Sequence, residues 1–119
     1  MAIRLFVYGT LKRGQKSHHL LEGQEFLGEF HTVPRYCLFD AGPYPVLVEG
    51  QHAGYAIQGE VWRVDDAVLK TLDRWEEVPR LYTRRVIRLE NFADSVWAYF
   101  YSGDVSGFPE CGRKWPLDE

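Results

Sequence analysis

The chain has 119 residues, 26% of them charged and 45% hydrophobic, with a formal net charge of −3. That length makes one small domain, and the slight acidic excess leaves no positive surplus to track a nucleic-acid backbone. No apolar run is long enough to cross a bilayer and the opening MAIRLFVYG is too short and too charged for a signal segment, so a cytoplasmic protein with neither nucleic-acid nor membrane partner is expected.

Residues 3–8 alternate Ile3, Leu5 and Val7 with Arg4, Phe6 and Tyr8, which predicts a strand. Gly9 breaks it, and residues 9–15 form a loop carrying Lys12 and Arg13. Ser17 is a candidate cap for a short helix through Gly23. Short strands follow over 26–32 and 35–39, split by Pro34, then a rigid Ala41-Gly42-Pro43-Tyr44-Pro45 turn. A strand over 46–48 and a loose Gly/His loop over 50–54 come next. Residues 57–64 read as a longer strand. Asp65 or Asp66 can cap a helix over 66–75, with Pro79 as its stop. Strands over 83–90 and 95–101 complete the pattern, and residues 104–119 read as a loop-like tail after a domain spanning 1–103. Many short strands with one or two main helices define an α+β fold.

The helix separates two adjacent glutamates. At about 100° per residue, Val68, Leu69, Leu72 and Trp75 share a stripe that also contains Glu76, while Glu77 points roughly 140° away. A carboxyl on a core-facing stripe is desolvated and, at a helix C-terminus, sits in the negative end of the dipole; both raise its pKa toward values suited to proton transfer. The plainer alternative is that Glu76 pairs with Arg74, Arg80 or Arg84 and closes the helix. The second constellation is the turn Tyr8-Gly9-Thr10-Leu11, where backbone N–H groups freed at the strand end can cradle a carboxylate or an oxyanion; an ordinary strand-ending turn has the same residues.

Other patterns carry less. Gly9 to Gly14 has phosphate-loop spacing, but the lysine that follows is displaced by one residue. His18-His19 and Glu22 suggest a metal pair at helical spacing, but adjacent histidines point to different helix faces and no third ligand cluster accompanies them, so no metal is expected. No GxSxG element is present, and Cys37 and Cys111 form no CxxC pair; both are expected to be reduced thiols. Lys12, Arg13 and Lys16 make a basic edge that is solvated or steers an anionic substrate. Trp97, Tyr99 and Tyr101 share a strand face, as core or as pocket wall.

Taken together, VYGTLKRGQ at 7–15, GPYPVLVEG at 42–50, GEVWRVDDAVLKTLDRWEEVP at 59–79 and LYTRR at 81–85 resemble the gamma-glutamylcyclotransferase-like superfamily. The closest subgroup is the gamma-glutamylaminecyclotransferases and their bacterial relatives. The resemblance covers about residues 3–101. It implies a barrel-like curled sheet with helices around a cavity, with Glu76 of Asp73-Arg74-Trp75-Glu76 as the catalytic glutamate. Tyr8, Gly9, Thr10 and Leu11 would hold the gamma-glutamyl group, and Tyr82 would line the cavity. The implied reaction is intramolecular cyclisation of a small gamma-glutamyl amine or amide to 5-oxoproline and a free amine, without cofactor or metal. A catalytically silent binding module on the same fold is the rival reading. The residues say nothing of oligomeric state, and the amine half is expected to be read by loops 40–54 and 103–119.

Overall fold

The computed structural model describes residues 2–50 and 53–116. Among these residues, eight strands and one α-helix build a small α+β fold: β1 (Ala2–Val7), β2 (Glu25–His31), β3 (Tyr36–Asp40), β4 (Pro45–Glu49), β5 (Gln58–Asp65), α1 (Asp66–Trp75), β6 (Tyr82–Ile87), β7 (Val96–Tyr101) and β8 (Glu110–Gly112). Each expected strand is present within one to three residues at its ends. The region after Ser17 is a single 3-10 turn, His18–Leu21, without a side-chain cap from Ser17; Gly23, at φ +82°, ends it. Residues 51, 52 and 117–119, parts of the predicted 50–54 loop and of the tail, lie outside the described residues.

The strands form two sheets. One has the order β2-β5-β1-β7-β6, and the other β4-β3-β8. β1 is central because it is apolar on both faces: Leu5 and Val7 point to one side, Phe6 to the other, and all three are buried. The Phe6 side, with Val61, Ala98 and Phe100, packs against Leu38 and Leu47 of the smaller sheet. The Leu5 side, with Trp62, Val64 and Tyr99, packs under Leu69 and Leu72 of α1 and under Leu11 and Leu21. The same alternation divides β7, where Trp97, Tyr99 and Tyr101 face the helix side and Val96, Ala98 and Phe100 the other. The larger sheet curls until the continuations of its two edge strands meet in an isolated bridge, Thr32 to Leu89. The Val33 N–H donates to the Arg88 carbonyl and the Glu90 N–H to the His31 carbonyl, each at 3.0 Å.

The tail departs from the expected loop over Glu110–Gly112, where β8 pairs antiparallel with β3 and buries Cys111 in the core. Cys37 and Cys111 are both free thiols. No helix among the described residues is long and apolar enough to cross a membrane.

Candidate active site

α1 begins where Asp65 accepts a hydrogen bond from the Val68 N–H at 2.9 Å, a local N-cap that satisfies one of the free amides of the first turn. It ends before Pro79 is reached. The Glu77 N–H donates to the Arg74 carbonyl at 3.1 Å and the Val78 N–H to the Asp73 carbonyl at 3.0 Å. This paired closure puts residue 77 in the left-handed region, at φ +55°, a position usually given to glycine. The turn throws Glu77 outward, where it pairs with Arg80. Glu76 stays in helical geometry as the C-cap, its N–H still bonded to the Leu72 carbonyl at 2.8 Å.

Glu76 therefore faces a cleft of about 490 Å³. The same cleft is lined by the end of β1 and the turn after it, Tyr8 to Leu11, and by the buried residues Pro45, Tyr82 and Tyr99. Every one of the six residues expected at the site, Tyr8, Gly9, Thr10, Leu11, Glu76 and Tyr82, lines this one cleft. The nearby cations do not reach Glu76. Arg80 is held by Glu77, and Arg84 grips Asp73 through Nε at 3.0 Å and Nη2 at 2.9 Å. Among the described residues no ion pair compensates the Glu76 carboxyl, and burial raises its pKa from 4.5 to about 7. Asp73, one helical turn earlier, goes the other way. Burial pushes it up, but hydrogen bonds from Arg84 and from the Tyr99 hydroxyl, at 2.7 Å, outweigh that and lower it. Two carboxyls on one short helix are thus set to opposite protonation behaviour by their partners.

Three tyrosines surround Glu76. Tyr8 donates to the Tyr99 carbonyl at 2.6 Å and Tyr82 to the Pro45 carbonyl at 3.4 Å. Burial first, with the charge of Glu76 adding to it, holds the hydroxyls of Tyr8 and Tyr82 protonated well beyond the usual range. Both line the cleft as neutral hydroxyls.

The turn 8–11 is held by its carbonyls. Gly9 accepts from the Lys12 N–H at 3.0 Å and Thr10 from the Ser17 N–H at 2.9 Å, while the Leu11 carbonyl lies 2.9 Å from His18 Nδ1. Among the described residues no internal hydrogen bond uses the amides of Gly9, Thr10 and Leu11, and all three residues line the cleft; unpaired amides of this kind can hold an anion. The glycine has a reason of its own. A Cβ at position 9 would lie 2.5 Å from Pro45 Cγ, so the close approach that requires glycine is that of Pro45.

The loop that follows is clamped from β5. Buried Glu60 accepts from the Arg13 N–H and Arg13 Nε, both at 3.1 Å, and from Trp62 Nε1 at 3.0 Å. Arg13 also pairs with Glu29 at 2.8 Å and lies 3.9 Å over the Phe26 ring. The expected basic edge is therefore divided: Arg13 is neutralised and structural, and Lys16 lines the cleft. Of the adjacent histidines, His18 packs on Trp62, ring centres 5.1 Å apart, while exposed His19 reaches the cleft. Among the described residues no group of three or more His, Cys, Asp or Glu lies together as a metal site.

Two expectations change. Trp75, assigned to the buried stripe with Leu72, is 55% exposed, because the helix ends there and its last turn borders the cleft instead of the core. Residues 103–116 contribute nothing to the cleft lining, whereas Tyr44 and Pro45 of the 40–54 stretch do. Of the three aromatics on one face of β7, Tyr99 lines the cleft and its hydroxyl donates to Asp73 at 2.7 Å; strand alternation does not separate it from Trp97 and Tyr101.

One cleft of this small α+β fold thus holds an unpaired, half-buried glutamate together with a turn whose amides have no internal partner, a combination chemically able to move a proton beside a bound anion. The family described as gamma-glutamyl cyclotransferase, AIG2-like, matches residues 5–116. Human gamma-glutamylaminecyclotransferase is 37% identical over 101 residues, covering 76% of this chain and 63% of that one. The Escherichia coli K12 gamma-glutamylcyclotransferase family protein YtfP is 34% identical, covering 88% of each. The solution structure of E. coli ytfP superposes with a TM-score of 0.75 at 32% identity over 96% of both chains. The crystal structure of a mouse AIG2-like protein gives 0.77 at 27% identity over 99% of this chain and 98% of that one. The chain belongs to the gamma-glutamylcyclotransferase family, AIG2-like branch, and is an enzyme of that type.

Proposed function

We propose that the cleft cyclises a gamma-glutamyl amine or amide, releasing 5-oxoproline and the free amine, with Glu76 moving the proton. The observation that carries this reading is the Glu76 carboxyl, half-buried without a cation, lining the same cleft as Gly9 to Leu11 with their unpaired amides. A gamma-glutamyl amide contains its own nucleophile. The α-amine nitrogen attacks the γ-carbonyl carbon, closes a five-membered ring, and the bond from that carbon to the amine half breaks. The tether supplies a high effective concentration. One proton must leave the attacking nitrogen and one must reach the departing nitrogen. A carboxyl with a pKa of about 7 is matched to both transfers near neutrality, as base and then as acid. The amides of the turn bind the α-carboxylate or the developing oxyanion, and Tyr82 walls the floor. No step needs a metal or a cofactor. Two free thiols suit a reducing compartment such as the cytoplasm.

The test is 5-oxoproline release from a panel of gamma-glutamyl amines and gamma-glutamyl amino acids. Wild type is expected to turn over at least one class, and Glu76→Gln to lose about 10²–10⁴-fold in kcat, the usual contribution of a general acid–base group. Release from no substrate sinks the activity. A folded Glu76→Gln enzyme with full activity, alongside a dead Glu77→Gln, moves the catalytic role to the neighbouring residue.

A further inference from the structure

The cleft changes character between floor and mouth. Tyr8, Gly9, Leu11, Tyr82 and Tyr99 are buried at the floor, whereas Lys16, His19, Tyr44 and Trp75 line the same cleft and are exposed. Trp75, at 55%, is the most exposed large apolar side chain among the described residues, and Tyr44 is 37% exposed. Leaving an indole in water forgoes a large apolar burial. Here its backbone is held firmly, one residue before the closure of α1 described above. The charges nearby are mostly spent: Glu77 is paired with Arg80, Arg13 with Glu60 and Glu29. Among the described residues, Lys16 has no ion-pair partner. The mouth is thus two open aromatic faces beside an uncompensated cation.

This bears on the half of the substrate that the cradle does not read, and it rests on the cyclisation reading given above. With the glutamyl end on the turn and the scissile bond beside Glu76, the amine half extends toward the mouth. We infer that the preferred substrates are gamma-glutamyl conjugates of large apolar or aromatic α-amino acids. Trp75 and Tyr44 take the side chain and Lys16 the carboxylate. A polyamine half would bring a second ammonium to Lys16 and leave the aromatic faces uncovered.

The experiment measures kcat/KM for 5-oxoproline release from four conjugates of gamma-glutamate: phenylalanine, alanine, phenethylamine and putrescine. Phenylalanine is expected to exceed alanine by about tenfold, in the range that a few apolar groups discriminate. It should exceed phenethylamine, which has the ring without the carboxylate, by several-fold, and putrescine should be poorest. Trp75→Ala should bring the phenylalanine-to-alanine ratio toward one. Lys16→Glu should collapse the phenylalanine-to-phenethylamine ratio, an effect that shrinks as salt rises from about 0.05 M to about 0.5 M. Putrescine turned over as well as phenylalanine, or a ratio untouched by Trp75→Ala, overturns the inference while the cyclisation reading stands. Product from the broader panel but from none of the four likewise overturns the inference alone, whereas product from neither the four nor the panel defeats the cyclisation reading itself.

Discussion

The environment of Glu76 bears on stability and, under the proposed mechanism, on rate. Burial raises its pKa from 4.5 to about 7, so the folded protein binds a proton there that the unfolded chain releases. The sign follows: this group's contribution is fully favourable below about pH 4.5 and is lost as pH rises through about 7. Glu76→Gln removes the charge and keeps the shape. The variant is expected to melt higher than wild type at pH 8, with the gap narrowing toward pH 5, as followed by thermal unfolding at both values. In the wild-type pH profile of kcat/KM, the same group should appear as a limb rising through pH ~7. Gly9 offers the complementary case of a residue fixed by sterics. Gly9→Ala places a methyl 2.5 Å from Pro45 Cγ and 2.7 Å from its Cδ, and the ring has nowhere to rotate. A loss of about 1–3 kcal/mol is expected, the usual range for overpacking, measured by denaturant unfolding.

At the scale of elements, the loop after β1 owes its shape to a strand far away in sequence. Arg13 and Glu60 are 47 residues apart, yet their pairing fixes the segment that presents the three free amides. Glu60 is 6% exposed; removing its cationic partner leaves a buried carboxylate with neutral donors only. Arg13→Ala should lower stability by about 1–2 kcal/mol, less than a fully buried pair because Arg13 is itself half-exposed. It should also raise KM by a similar factor for every gamma-glutamyl substrate, since it disturbs the shared end. Adding Glu60→Gln should restore stability more than KM, which steady-state kinetics and melting on the double variant will separate. The C-terminal end of α1 is organised in the same way. Asp73 ties Tyr99 of β7 and Arg84 of β6 to the helix one turn before Glu76.

At the scale of the whole molecule, the two sheets and the helix enclose β1 on both faces, and the last strand belongs to that enclosure. Cys111 is in the core, and Trp115 packs against the same cluster, while Phe108 packs on Tyr101, ring centres 6.4 Å apart. Ending the chain after Gly103 should cost about 3 kcal/mol or more, at roughly 1.5–3 kcal/mol per large apolar side chain uncovered, seen as a lower melting midpoint. What sequence alone determined here was whatever depends on neighbours a few residues apart. The helix over 66–75, an aspartate cap at 65 or 66, the strand alternation and the different directions of Glu76 and Glu77 all follow from local periodicity and capping. The tertiary structure decided what depends on partners distant in the chain. Glu-Cys-Gly at 110–112 has no alternation to mark a strand and becomes one by pairing with β3. Arg13 and Lys16 look alike along the chain and are separated by the burial of Glu60. Trp75 satisfies the helical stripe but faces a cleft, because periodicity gives the direction of a side chain, and only the packing of other elements determines whether core or solvent lies there.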